Sequence, residues 1–229
     1  IKLNYINEPI IRGDLIKFID YAKSKGILDI YFSTNGILLK KKVSEDLIKS
    51  GLTRLQVSID AVTQETYNKV RPGGLLKTVI SNLESFMETK KNLNSIIPLI
   101  RVNFVKTSLN EFELNDFLKF WNNKVDMIGV QEFIKPTKVK NNIKSKKTHK
   151  KKNFKCSFPF KQLVINNEKK VLPCCTFWGE ELALQDISKP EDLKIAWNSE
   201  KMKRLRDIHS QGKYYEIDQC KNCVEGGLE

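Results

Sequence analysis

The sequence predicts an α/β fold of parallel strands joined by helices, followed by a small cysteine-rich α+β module, and three observations predict it. Short apolar strands alternate with helical periodicity over the first 135 residues. A stretch without apolar periodicity follows, carrying ten lysines between residues 135 and 155. All five cysteines, Cys156, Cys174, Cys175, Cys220 and Cys223, fall in the last third of the chain. This divides the chain into residues 1–135, a lysine-rich linker over 136–155 and a cysteine-rich module over 156–229.

The elements follow in order. Residues 1–6 (IKLNYI) read as a strand, and 10–25 place Ile11, Leu15, Ile16, Ile19 and Ala22 on one helical face that ends at Gly26. Strand 28–34 precedes a helix near 43–50. Strand 54–60 precedes a short helical piece and the turn Arg71-Pro72-Gly73-Gly74. A longer helix from about 75 to 91 carries Leu76, Val79, Ile80, Leu83, Phe86 and Met87. Strand 99–105, helix 110–122 and strand 127–134 complete the series. Repetition of strand and helix implies parallel strands with right-handed crossovers, and such sheets bind ligands at the carboxyl ends of their strands.

Those ends are polar. They carry Asn7-Glu8-Pro9, Ser33-Thr34-Asn35-Gly36, Ser58-Ile59-Asp60, and Gln131-Glu132 with Lys135-Pro136. Each has a purely structural reading: Asn-Gly as a turn, Asp60 as a helix N-cap, Glu-Pro as a helix start. Four polar clusters on one rim point beyond that, to a site for a polar small molecule.

The tail reads as a metal site. Cys156 precedes a predicted hairpin over 163–172 with Asn166-Asn167 as its turn, and Cys174 lies just past the second strand. A single helix around 191–209 presents Leu193, Ala196, Trp197, Met202 and Leu205 and returns the chain to the Cys-x-x-Cys pair of Cys220 and Cys223. Thiolates two residues apart share one ion or cluster, and distant partners complete it. Buried thiols without metal are the structural alternative. His149 and His209 read as surface residues.

Composition bounds the partners. With 229 residues, 40% hydrophobic and 29% charged, the chain can bury one large core, or a main domain plus an appendage. No run of 18 apolar residues and no signal peptide occurs, so a cytoplasmic protein without a membrane partner is expected, with its thiols reduced and available to metal. The net charge of +13 raises a polyanion-binding alternative. The excess sits in the lysine-rich stretch, which lacks the interleaved aromatics that stack bases, so a solvated linker is preferred and nucleic acid is not expected as a partner.

The motifs carry a resemblance. Asn7-Glu8-Pro9, Ser33-Thr34-Asn35-Gly36, Val57-Ser58-Ile59-Asp60-Ala61, Glu65-Thr66-Tyr67 and Val70-Arg71-Pro72-Gly73-Gly74 resemble the barrel of radical S-adenosylmethionine (SAM) enzymes. Cys156, Val171-Leu172-Pro173-Cys174-Cys175, Ala196-Trp197-Asn198-Ser199-Glu200 and Cys220-Lys221-Asn222-Cys223 resemble the SPASM/twitch module that many of them append. The resemblance implies a partial (β/α)6 TIM-type barrel, here lacking its first β/α unit. It also implies a [4Fe-4S] cluster that binds SAM, reductive cleavage of SAM, and hydrogen abstraction from a peptide, sugar or small metabolite. An electron donor such as flavodoxin or ferredoxin is the implied partner, and the implied class is oxidoreductase or transferase. Carried over by position, Glu8, in the turn it shares with Asn7, accepts hydrogen bonds from the SAM amino group. Ser33, Thr34 and Asn35 lie near the ribose and amino-acid moieties, and Ser58 and Asp60 face the cofactor. Arg71 pairs either with the SAM carboxylate or in a surface salt bridge. The resemblance assigns no catalytic side chain. Cys156, Cys174, Cys220 and Cys223 are the implied ligands of an auxiliary [4Fe-4S] cluster or a zinc ion replacing it, Cys174 being preferred to Cys175 because it follows Pro173.

One departure is large: the superfamily's Cys-x-x-x-Cys-x-x-Cys occurs nowhere in residues 1–229. The chain opens at Ile1 inside an apolar-alternating segment and closes on Leu228-Glu229, which resembles an expression-tag scar, so the missing motif is expected upstream of Ile1. The competing reading is an inactive barrel with a structural zinc site, acting as a binding protein.

Overall fold

The computed structural model describes residues 1–133 and 153–225, and the chain divides into two compact units, Ile1–Phe133 and Ile134–Glu229. Most of the lysine-rich stretch, and His149 within it, lies outside the described residues.

In the first unit, apolar alternation produces four parallel strands, β1 (Tyr31–Thr34), β2 (Arg54–Ser58), β3 (Leu99–Lys106) and β4 (Met127–Glu132), ordered β1-β2-β3-β4. The helices are α1 (Leu15–Ser24) before β1, α2 (Lys41–Lys49) before β2, α3 (Gln64–Val70) and α4 (Leu76–Asn92) between β2 and β3, and α5 (Leu114–Trp121) before β4. This is a partial α/β barrel. One face of the sheet, with Phe32, Leu55, Val57, Ile100, Val102 and Phe104, is buried in a single core with Ile19, Leu47, Val79, Leu83, Phe86, Phe117 and Trp121 of the helices. Each such side chain contributes about 1.5–3 kcal/mol on burial. Because side chains alternate across a strand, the residues between them point to the opposite face. That face is polar: Ser33, Gln56 and Arg101 form one cross-strand row, and Ser58, Asn103 and Gly129 the next.

The predicted strand over 1–6 is corrected. Only Lys2 bridges β1, with the Leu3 N–H bonded to the Tyr31 carbonyl at 2.8 Å. The Ser33 N–H, which a longer strand would have engaged through its backbone, donates instead to the Asn4 side-chain oxygen at 3.0 Å. The predicted helix over 10–25 begins at Leu15, after a 3-10 turn at Pro9–Ile11.

The second unit has a three-stranded antiparallel sheet, β5 (Val164–Ile165), β6 (Lys170–Leu172) and β7 (Gln185–Asp186), ordered β5-β6-β7. The helices α6 (Glu191–Trp197), α7 (Glu200–Ser210) and α8 (Asp218–Glu225) follow. The expected single helix over 191–209 is therefore two. Ser199 is extended, and its hydroxyl caps α7 by accepting from the Met202 N–H at 3.3 Å.

Candidate functional site

At the end of β1 the Glu8 carboxylate is held by three donors. The Thr34 hydroxyl donates to Oε1 at 2.7 Å, the Asn35 N–H to Oε2 at 2.7 Å, and the Ile10 N–H to Oε1 at 3.3 Å. A carboxylate has about four lone-pair sites, so one remains, on Oε2. Glu8 is half-buried and already fixed in place. An anionic acceptor so arranged suits an ammonium. Asn7 is exposed, and its side-chain oxygen accepts from the Tyr5 N–H at 3.0 Å.

The Ser33 hydroxyl donates to Gln56 Oε1 at 3.1 Å, and Ser58, half-buried, lies on the same open face. Asp60 is differently engaged. Its backbone is left-handed, with φ of 66°, and its carboxylate is almost fully buried. Arg71 donates to Oδ2 through Nε at 2.8 Å and Nη2 at 2.5 Å, while the Val105 N–H donates to Oδ1 at 2.7 Å. The fully buried Asn110 completes the brace, donating to the Asp60 and Val105 carbonyls at 2.8 and 2.9 Å. Asp60 and Arg71 thus form a partly buried ion pair that ties the end of β2 to β3 and α3. Arg71 engages Asp60 through Nε and Nη2, two positions of a guanidinium that carries five donors, and its side chain remains 27% exposed. Asp60 does not cap α3, whose N-cap is Thr63.

Four residues on the open face were not singled out from the sequence: Gln56, Arg101, Asn103 and Gly129. Asn103 is 6% exposed, and its Oδ1, like Arg101 Nε, is buried without a hydrogen-bond partner among the described residues. The sequence signal existed, since polar Arg101 and Asn103 alternate with Ile100, Val102 and Phe104.

In the second unit Cys156, Cys174, Cys220 and Cys223 are half-buried, and Cys175 is exposed. Burial, then the neighbouring thiols Cys174 and Cys156, push Cys220 up to about 12 and Cys223 up to about 11, and burial also raises Cys156. Cys175 also raises Cys156 and Cys223, so all five thiols lie in one neighbourhood. The Thr176 hydroxyl lies 3.4 Å from Cys174 Sγ and, by hydrogen bonding, works against the rise at Cys223. Gly179 fits beneath Cys174, where an added Cβ would stand 2.6 Å from its carbonyl oxygen. Cys220 and Cys223 lie on a helix, α8.

His209 overturns its surface reading. It is 2% exposed, its Nδ1 accepts from the Cys156 N–H at 3.4 Å, and its Nε2 lies 3.3 Å from Cys220 Sγ. An accepting Nδ1 assigns the ring proton to Nε2, which then donates to sulfur. Burial holds the imidazole below its usual range, hence neutral.

The donor set is four soft thiols. A tetrahedral zinc site requires sulfurs about 3.8 Å apart. Among the described residues, no three His, Cys, Asp or Glu side chains are arranged to hold a single metal ion. The donors fit a thiolate-ligated iron–sulfur cluster in kind. The first unit contains no cysteine.

Comparisons with known proteins bear on both units. Residues 5–105 match the family model described as the radical SAM superfamily, and residues 156–224 match that of an iron–sulfur cluster-binding domain. A probable GTP 3',8-cyclase of Methanocaldococcus jannaschii is 34% identical over 127 residues, 56% of this chain and 40% of that protein. The chain spans less than half the length of such curated relatives. Two solved structures share the fold at 14% identity. Native anSMEcpe with bound AdoMet has a TM-score of 0.65, covering 96% of this chain and 72% of that one. BtrN in complex with AdoMet and 2-DOIA has a TM-score of 0.55, covering 97% and 71%.

Proposed function

The chain belongs to the radical SAM superfamily and carries an iron–sulfur cluster-binding module, and we propose that it cleaves SAM reductively and abstracts hydrogen from a small-molecule or peptide substrate. SAM, reduced by one electron, supplies the hydrogen-abstracting radical, and a donor such as flavodoxin or ferredoxin supplies the electron.

The observation that carries this reading is Glu8. The Thr34 hydroxyl and the Asn35 N–H hold its carboxylate at the strand-end rim with one acceptor site left on Oε2. Glu8 thereby receives the SAM amino group without reorganising. Ser33 and Ser58 present hydroxyls on the same open face, and the Asp60–Arg71 pair keeps the end of β2 in register with β3. A cluster at this mouth takes its ligands from outside residues 1–133, since none of them is a cysteine. The auxiliary cluster takes Cys156, Cys174, Cys220 and Cys223, with His209 directing its N–H at Cys220.

The curated relative named for GTP matches 56% of this chain, so a shared cofactor site accounts for the likeness as readily as a shared substrate. The zinc-stabilised binding protein is the weaker reading, because no single-ion arrangement occurs among the described residues.

Anaerobic reconstitution of the full-length protein tests the proposal. Iron and sulfide for at least two clusters are expected, with methionine and 5′-deoxyadenosine released under a strong reductant. One cluster's worth of iron with no methionine would overturn it. Glu8→Gln is expected to weaken SAM binding roughly tenfold, the loss of one charge-assisted hydrogen bond.

A further inference from the structure

His209 stands in the last turn of α7, between two of the cysteines that the tail brings together. Gly212, left-handed with φ of 73°, follows the helix, and an added Cβ there would stand 3.0 Å from Asn153 Cα. The bare glycine lets the chain pass close to the helix end at Asn153, and three residues further on the Cys156 N–H reaches His209 Nδ1 at 3.4 Å. With Nδ1 accepting, the ring proton resides on Nε2, which lies 3.3 Å from Cys220 Sγ. Met202 and Leu205, seven and four residues back on the same helix face, are buried in the apolar cluster of this unit, so a packed helix rather than a loop aims the ring. The ring is 2% exposed, and Cys220 packs against that same cluster, which leaves little water to compete for the proton. A hydrogen bond in such surroundings is electrostatically stronger than in water.

We propose that His209 sets the reduction potential of the cluster bound in the tail, acting through Cys220 as a positioning residue: its Nε2–H donates to the Cys220 thiolate and raises that potential. The inference rests on the reading that Cys220 is a ligand of the cluster. One-electron reduction makes the cluster and its thiolates more negative, so a donor fixed on one of the sulfurs stabilises the reduced form more than the oxidised one. The two contacts of the ring divide the work. The bond from Cys156 fixes the tautomer and the ring orientation, and the contact with Cys220 carries the electrostatic effect.

The test is a redox titration of the anaerobically reconstituted full-length protein, followed by electron paramagnetic resonance. The signal lost in Cys220→Ala identifies the tail cluster. His209→Asn keeps an acceptor for the Cys156 N–H but is too short to reach Cys220. At unchanged iron content its potential should fall by roughly tenfold in the one-electron reduction equilibrium, about 59 mV. His209→Gln places an amide nitrogen where Nε2 stood and should restore most of the wild-type value. An unchanged signal in Cys220→Ala would sink the ligand reading and this inference with it. A wild-type potential in His209→Asn, or an equal fall in both His209 variants, would overturn this inference and leave the ligand reading standing. If His209→Asn does not hold its cluster, the wild type carries the test. Pulsed resonance on reduced protein made with nitrogen-15 histidine should show the weak coupling of a hydrogen-bonded ring. No coupling, or the strong coupling of a ring bound to iron, overturns the proposal. None of these measurements needs SAM cleavage, so an inactive enzyme would not affect them.

Discussion

At the residue scale, the thiols divide by burial rather than by sequence. Cys174 and Cys175 are neighbours, yet only Cys175 is exposed. Cys223, pushed up to about 11 from an ordinary value of 9.0, carries on the order of 100-fold less thiolate at mildly alkaline pH than an unperturbed thiol would. In the cluster-free protein, iodoacetamide should therefore alkylate the exposed Cys175 first and Cys220 and Cys223 last, with peptide mass spectrometry giving the order. Equal rates would mean that the four thiols are not buried together. Deprotonating the buried thiols is work that cluster assembly must do, so ligation releases protons and is favoured by rising pH. The polar Asn-Glu-Pro turn that carries Glu8 was legible at this scale because it interrupts an apolar alternation. His209 was not, although Met202, Leu205 and His209 follow the i, i+3, i+7 spacing of a buried helix face, and this stripe contradicted the surface reading.

At the element scale, strands and helices of the first unit were legible because periods of 2 and 3.6 persist over several residues. Ends were less so. The strand over 1–6 stopped short because the Asn4 side chain takes the Ser33 N–H and the Asn7 side chain takes the nearby Tyr5 N–H, a competition that apolar alternation does not report. The split between α6 and α7 had its signal in Ser199, an N-cap residue inside an otherwise helical stretch. A buried carboxylate sets another boundary. Glu113 accepts from the Val62 N–H at 2.6 Å, and from the Thr63 hydroxyl and N–H at 2.5 and 3.3 Å, so it fixes the start of α3 from the far side of β3. Burial works against its ionisation, but the bonds from Thr63, Thr66 and Val62 outweigh it and hold its pKa below the usual 4.5. A carboxylate depressed in the folded state stabilises above its unfolded value, and that contribution fades as pH falls through the folded one. Glu113→Gln should thus cost about 1–2 kcal/mol at neutral pH, and the gap to wild type should close well below pH 4.5 in urea unfolding. A gap independent of pH would show that shape, not charge, holds α3.

At the scale of the whole molecule, the two units rest on unequal foundations. The first buries an extensive core of strand and helix residues, from Leu15 to Trp121. The second has a buried apolar cluster of five residues, Val171, Leu184, Ala196, Met202 and Leu205, with Leu172, Trp178, Ile208 and Tyr214 buried outside it, and strands of two or three residues. So small a core supplies only a few kcal/mol, and small domains compensate with disulfides or metals. Its cysteines are unpaired, and residues 156–224 match an iron–sulfur cluster-binding domain, so a bound cluster is the staple expected of this unit. The division at the cysteine-rich tail was legible because all five cysteines lie past residue 155. What the four thiols do for stability was not, since it depends on how little apolar area the short strands bury. Removing iron with a chelator should therefore abolish hydrogen-exchange protection in α7 and α8 and leave β2 and β3 protected. Peptide-resolved exchange would show this, and Cys220→Ala should reproduce it without chelator. Protection that persists in α7 and α8 after iron removal would mean that the five-residue cluster suffices alone, and protection lost in both units together would mean that they fold as one.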